Sequence, residues 1–207
     1  MASLEELRKL YFLAIRATDA LLIRKEPFRL RSGGSSHVYL SHNNFLSEHK
    51  NVDLLARTYR ELIEEHIQDS YRVCAVDSIM SPLIVGAFAV LAKKDVIVVK
   101  EQKLSHGTEQ QVFGIIGSEE VVVVDDMTST GGILISAINV LRDRGARVNY
   151  AVVSACRDQV AEQRVKDLNV HLLYIASFSD VFRGLWNDLS AEERQLVATE
   201  FGLGDLS

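Results

Sequence analysis

The sequence predicts an α/β fold with a central, mainly parallel sheet flanked by helices. Three observations predict it. Short runs rich in valine and isoleucine recur along the chain and are bounded by polar or glycine-containing stretches. Segments with helical periodicity lie between them, and that alternation belongs to βα units. The run Val121-Val122-Val123-Val124 has no polar alternation. Four consecutive β-branched residues suit a strand covered on both faces.

Composition narrows the class. Of the 207 residues, 47% are hydrophobic and 25% charged, as in an ordinary soluble protein. One domain spanning 1–207 with a short appendage is expected. Lysine and arginine number 23 against 28 acidic residues, a net charge of −5, so no basic face for nucleic acid is implied. No apolar run approaches the ~18 residues a membrane span needs. The N-terminus mixes charges and lacks an apolar core segment, so no secretory signal is expected. The two cysteines, Cys74 and Cys156, fall in expected buried strands. They read as small core residues in a reducing cytoplasm.

The elements follow in order. Ser3 with Glu6 forms a capping box, and Leu4, Leu7, Leu10, Tyr11, Ala14, Ala17 and Leu21 hold a helical period. Residues 27–40 read as two short strands joined by a Gly-Ser turn. A helix is expected over 48–68, with Val52, Leu55, Ala56, Tyr59, Leu62 and Ile63 as its apolar stripe. A buried strand over 72–76 leads into Asp77 and a helix whose first turn holds Pro82. A further strand covers 95–100. The polar stretch from Lys100 to Gln110 offers little to anchor it to a core and reads as a mobile loop. Strands over 112–116 and 121–124 come next, then a helix from Ile133 that stops at Arg144-Gly145. A strand over 147–155 ends near Arg157, followed by a helix over 159–168 and a strand over 170–175. Terminal helices are expected over 180–189 and 191–201, with Trp186 as a packing anchor. The scattered histidines His37, His42, His49, His66 and His171 show no metal-ligand spacing and read as structural or solvated.

The informative stretch is Asp125-Asp126-Met127-Thr128-Ser129-Thr130-Gly131-Gly132, between the valine strand and a helix. It lies at the carboxyl end of a sheet strand, where open α/β sheets bind ligands. The free N–H groups and positive dipole end of the following helix favour an anion. Glycine lets the backbone approach it. Thr128, Ser129 and Thr130 can donate to phosphate oxygens. Asp125 and Asp126 repel phosphate but can accept hydrogen bonds from sugar hydroxyls. The turn therefore suits a ribose 5-phosphate. It is neither a Walker loop nor a Gly-x-Gly-x-x-Gly dinucleotide turn.

This hydrophobic run, Asp-Asp, hydroxyl-rich turn and Gly-Gly resemble the phosphoribosyl-pyrophosphate (PRPP) signature of type I phosphoribosyltransferases. Three further segments resemble the orotate subfamily, in the right order. Phe28-x-Leu30-x-Ser32-Gly33-x-x-Ser36 is similar to its N-terminal substrate segment, with Arg31 where lysine or serine is usual and Tyr39-Leu40 where two aromatics often stand. Lys100, Lys103 and His106 resemble its flexible catalytic loop, although Val99 replaces an arginine and the histidine comes one residue late. Arg157 stands where that subfamily grips the orotate carboxylate. The stretch 77–83 departs from the pattern, since it has neither the glycine nor the lysine of the family's pyrophosphate loop.

The resemblance implies a type I fold with a small N-terminal hood over about 1–45 and C-terminal helices over 180–207. It implies transfer of the phosphoribosyl group of PRPP to orotate, with release of pyrophosphate from an oxocarbenium-like sugar. Residues 128–132 would hold the 5-phosphate, and Asp125 and Asp126 the ribose hydroxyls, Asp126 also stabilising positive charge. Lys103 and His106 would assist the leaving group, alongside Lys100 and Met127 in the PRPP site. Arg31, Tyr39, Ser129 and Arg157 would contact orotate. Mg²⁺ would come mainly as a guest of PRPP and water. A homodimer sharing the Lys103/His106 loop is implied. Two alternatives stand: transfer to another base, such as a purine, uracil or xanthine, and a non-catalytic PRPP-binding regulator.

Overall fold

The computed structural model describes residues 3–30, 33–102 and 110–203. In chain order they form helix α1 (Leu4–Ala17), strands β1 (Leu21–Arg29) and β2 (Ser35–Leu40), and helices α2 (His42–Phe45) and α3 (His49–Glu64). Then come β3 (Tyr71–Ala75), α4 (Ser81–Ala92), β4 (Val96–Val99), β5 (Val112–Phe113), β6 (Glu120–Val124) and β7 (Met127–Thr128). The chain continues through α5 (Gly132–Arg142), β8 (Arg147–Cys156), α6 (Gln159–Lys166), β9 (His171–Ser177), α7 (Phe178–Leu185) and α8 (Ala191–Phe201). They divide into two compact units, Met1–Leu54 with Ala176–Ser207, and Leu55–Ile175.

The larger unit carries the sheet, in the order β5-β4-β3-β6-β8-β7 with β9 also on β8. β3, β4, β6, β7 and β8 pair in parallel, and the short β5 joins β4 antiparallel. Val121 to Val124 are all fully buried, as a strand covered on both faces requires. Leu134, Ala137, Ile138 and Leu141 of α5 close one side of that core. Cys74 and Cys156 are buried free thiols. Burial pushes both upward, Cys156 to about 11, so they are inert core groups.

The smaller unit is built on an antiparallel hairpin of β1 and β2, with α8 packed on both strands and α1 packed on α7. Pro27 falls in the irregular stretch between Ile23 and Phe28, where a missing N–H breaks no ladder bond. Phe178, Phe182 and Phe201 form an aromatic cluster, Phe182 and Phe201 having centroids 4.7 Å apart.

The structure corrects several expectations. α1 begins at the capping box, with Ser3 N–H donating to Glu6 Oε2 at 2.7 Å, but it stops at Ala17. Thr18 Oγ1 bonds back to the Ala14 carbonyl and Asp19 takes φ 46°, so Leu21 leaves the helical stripe and pairs with Leu40. β5 ends at Phe113 because Gly114 turns at φ 110°, against the Val96 carbonyl. Met127–Thr128, expected as pure turn, adds a two-residue strand. Trp186 is only half-buried in a 3₁₀ turn, with the Arg194 guanidinium 5.7 Å from its ring. The phenylalanines serve as the packing anchors instead.

Candidate active site

Parallel pairing collects the chemistry at one edge. Ala75 opposes both Val98 and Val124, and Val124 opposes Val152. The strand ends of β3, β4 and β6 are therefore level, and Asp77, Lys100 and Asp125-Asp126 emerge together. β8 runs on alongside β7, with Met127 opposite Ala155 and Thr128 opposite Cys156. That extension carries Arg157 to the turn itself, where its N–H donates to the Thr128 carbonyl at 2.9 Å.

The turn after β6 is held from behind by its carbonyls. Tyr59 Oη donates to the Asp125 carbonyl at 2.7 Å. Ser154 donates to the Asp126 carbonyl from its N–H at 2.9 Å and its hydroxyl at 2.6 Å. Arg164 donates to the Thr130 carbonyl at 2.7 Å. Four carbonyls of the turn, those of residues 125, 126, 128 and 130, are thus tied back. Little negative dipole is left to oppose an incoming anion.

The start of α5 completes the cradle. Gly131 sits at φ 77°, a conformation that L side chains rarely adopt, and no side chain caps the helix. The first amides of a helix have no intrahelical acceptor. They are left to face a ligand with the positive end of the dipole. Thr128 Oγ1 accepts from the Gly131 N–H at 3.1 Å and closes the turn.

The two aspartates have different surroundings. Asp125 is 2% exposed and Asp126 half-buried. Asp125 Oδ1 accepts from Ser78 Oγ at 2.8 Å and from the Asp126 N–H at 2.9 Å. Burial, and then the charge of Asp126, push the Asp125 carboxyl well above the ordinary aspartate range, and the Ser78 bond opposes them. Across the edge, Lys100 Nζ pairs with Asp77 Oδ1 at 2.5 Å.

The sequence-expected residues fall as follows. Asp125, Asp126, Met127, Thr128, Ser129, Thr130, Gly131 and Gly132 line one turn; Lys100 and Arg157 stand at the same sheet edge. Tyr39 belongs to the smaller unit, 39% exposed, with its ring 5.4 Å from Phe28. Arg31, Lys103 and His106 lie outside the described residues. Sequence reasoning missed Tyr59, Asp77, Ser78, Ser154 and Arg164 as parts of the site. Each acts through hydrogen bonds or an ion pair to a segment distant in sequence, which no local pattern announces. Among the described residues no three acidic, histidine or cysteine side chains are grouped to hold a metal ion.

No family model matches the chain. Curated relatives do. The orotate phosphoribosyltransferase of Methanosphaera stadtmanae is 28% identical over 160 residues, covering 77% of this chain and 88% of that protein. That of Pyrococcus horikoshii is 26% identical over 157 residues, covering 75% and 84%. Among solved structures, orotate phosphoribosyltransferase from Aeropyrum pernix superposes with a TM-score of 0.74 at 24% identity, covering 85% of this chain and 99% of its own.

The chain is a homologue of the orotate phosphoribosyltransferases and has their fold. Leishmania donovani UMP synthase shares that fold too, with a TM-score of 0.80 at 20% identity over 94% of this chain. The chain spans 42% of that longer protein. In this phosphoribosyltransferase fold the Asp-Asp turn occupies the sheet edge where ligands of open α/β sheets bind.

Proposed function

We propose that this chain transfers the 5-phosphoribosyl group of PRPP to orotate, releasing pyrophosphate and forming orotidine 5′-phosphate for pyrimidine nucleotide synthesis. The turn after β6 carries the reading. Its carbonyls are tied back, its amides lead an uncapped helix, and two carboxylates stand beside it. That arrangement suits a phosphate joined to a polyhydroxylated sugar. Homology to orotate phosphoribosyltransferases over three quarters of the chain supports the choice of base.

In this reading residues 128–132 hold the 5-phosphate and Asp125 and Asp126 accept the ribose hydroxyls. Asp126, the more exposed, faces the charge that develops at the anomeric carbon. Lys100, Lys103 and His106 meet the pyrophosphate as negative charge grows on it. Arg157, fixed at the turn by its own backbone, takes the orotate carboxylate through two parallel bonds. Ser129 adds a hydroxyl to the base site.

The donors present fit Mg²⁺, a hard cation that prefers carboxylate, phosphate and water oxygens. Asp125 Oδ1 is already engaged by Ser78 and the Asp126 amide, so these carboxylates would reach the ion through water or ribose oxygens. When bound with PRPP, Mg²⁺ supplies charge neutralisation at the pyrophosphate.

A homodimer with a shared Lys103/His106 loop belongs to the same proposal. It is supported by exposed apolar residues at the start of α4 and along it, Ile79 at 82% in the turn before the helix, and Leu83 at 46% and Val90 at 84% on it. A cytoplasmic location fits two unpaired thiols.

The test is loss of the orotate ultraviolet band with purified protein, Mg²⁺ and PRPP. Loss that needs all three, and that Lys103→Ala abolishes, establishes the reading. Binding of PRPP without orotate loss overturns it in favour of another base or a regulatory role.

A further inference from the structure

We propose that Asp77 is a positioning residue that clamps the root of the segment beginning at Lys100. The proposal rests on the phosphoribosyl-transfer reading of the site and names a residue that the reading does not use.

The Asp77 carboxylate holds two groups at once. Oδ1 takes the Lys100 ammonium at 2.5 Å, and Oδ2 accepts the Glu101 N–H at 3.0 Å. A side-chain ion pair at a half-exposed site contributes little alone. Here one rigid carboxylate fixes both the charge and the main chain of consecutive residues, which sets the direction in which the chain leaves β4. The far end of the segment is tied to the same point. Lys100 N–H donates to the Gln111 carbonyl at 2.9 Å, and Gln111 Nε2 donates to the Glu101 carbonyl at 3.1 Å. The two stems, at residues 100–101 and at 111, therefore meet beside Asp77, which grips the first of them.

The neighbouring residue links this clamp to the sugar end of the site. Asp77 and Ser78 are consecutive after β3, and their side chains diverge. Asp77 holds Lys100, whereas Ser78 holds Asp125 at 2.8 Å. The turn after β3 has no lysine or arginine of its own over residues 77–83. The ammonium that Asp77 draws in gives that edge a fixed hydrogen-bond donor, its charge balanced by the carboxylate that holds it. Its use is greatest where negative charge develops, so the clamp acts on the chemical step more than on PRPP binding.

The experiment uses Asp77→Asn, which keeps size and one acceptor but removes the charge. The expected result is a fall in kcat of about tenfold with KM for PRPP changed less than about threefold. In a Lys100→Ala background the same substitution should add less than about twofold, because both act through one group. A lowered KM with unchanged kcat, or full additivity with Lys100→Ala, overturns the proposal. A second readout does not need turnover. Trypsin cleavage of the Lys100–Glu101 bond, followed by mass spectrometry, should be about tenfold faster in Asp77→Ala than in the wild-type chain, since the scissile bond is the clamped one. Equal cleavage rates overturn the clamp. If the wild-type chain fails to consume orotate yet shows protected Lys100–Glu101 cleavage, the base assignment fails and the clamp stands.

Discussion

Ser78 Oγ donates to Asp125 Oδ1 across 2.8 Å, joining the turn after β3 to the acidic end of β6. The bond favours the ionised carboxylate, which burial and Asp126 disfavour. Ser78→Ala should therefore raise the Asp125 pKa further. If the ionised form receives the ribose hydroxyls, the acid limb of the kcat/KM profile moves to higher pH. At alkaline pH the rate should change less than about threefold. A pH–rate series on both proteins checks this, and an unmoved acid limb would separate Asp125 ionisation from activity.

Asp125→Asn should trade activity for stability. The native pKa is raised, so the native state binds the proton more readily than the unfolded chain. The contribution is fully favourable below the ordinary aspartate value of about 4. It is lost as pH rises through the raised native value, and at neutral pH the buried charge is a net cost. Asparagine removes that cost and can still accept from Ser78. Thermal denaturation should show a Tm gain of about 2–4 °C at neutral pH. The gain should vanish near pH 4, while turnover falls about 100-fold.

Glu200, in the last turn of α8, holds the start of β2. Its carboxylate lies 2.5 Å from Ser36 Oγ and accepts the His37 N–H at 2.8 Å. A carboxylate near a helix C-terminus opposes the dipole, so these bonds must outweigh that repulsion. Glu200→Ala should lower Tm by about 2–6 °C. Glu200→Gln should recover part of that loss in the same thermal denaturation.

Gly131→Ala tests the cradle. The φ of 77° strains an L side chain, and the new Cβ would stand 3.4 Å from the Ala161 carbonyl and from Ile135 Cδ1. A cost of about 1–2 kcal/mol is expected. PRPP affinity by calorimetry should fall about tenfold as the leading amides of α5 turn away. Unchanged affinity would place the phosphate elsewhere.

Arg157→Lys keeps the charge and loses the fork. Steady-state kinetics should show KM for orotate raised about tenfold or more, with KM for PRPP nearly unchanged. An equal rise in both would remove Arg157 from the base site.

Much of this was legible in the chain. The valine run, the Asp-Asp pair and the glycines announced β6, its turn and α5 because a buried strand, a polar turn and a helix start each impose local residue preferences. The span of α8, Ala191–Phe201, was read correctly from the sequence. The end of α1 was misread because Leu21 fits the helical stripe, and only pairing with Leu40 gives it a better place. Trp186 was misjudged because size says nothing of which side of a turn faces the core.

The sequence by itself determined which groups this protein has for its chemistry: an anion cradle, two carboxylates, and cations on separate segments. Tertiary structure alone decided how they are held. Tyr59 reaches the Asp125 carbonyl, Ser78 the Asp125 carboxylate and Asp77 the Lys100 ammonium, across gaps of 66, 47 and 23 residues. Such bonds depend on strand order and register, and the parallel pairing of β3, β4 and β6 makes their ends level. Hydrophobic periodicity specifies each element, but the choice of neighbouring strand is settled only when the whole sheet is packed.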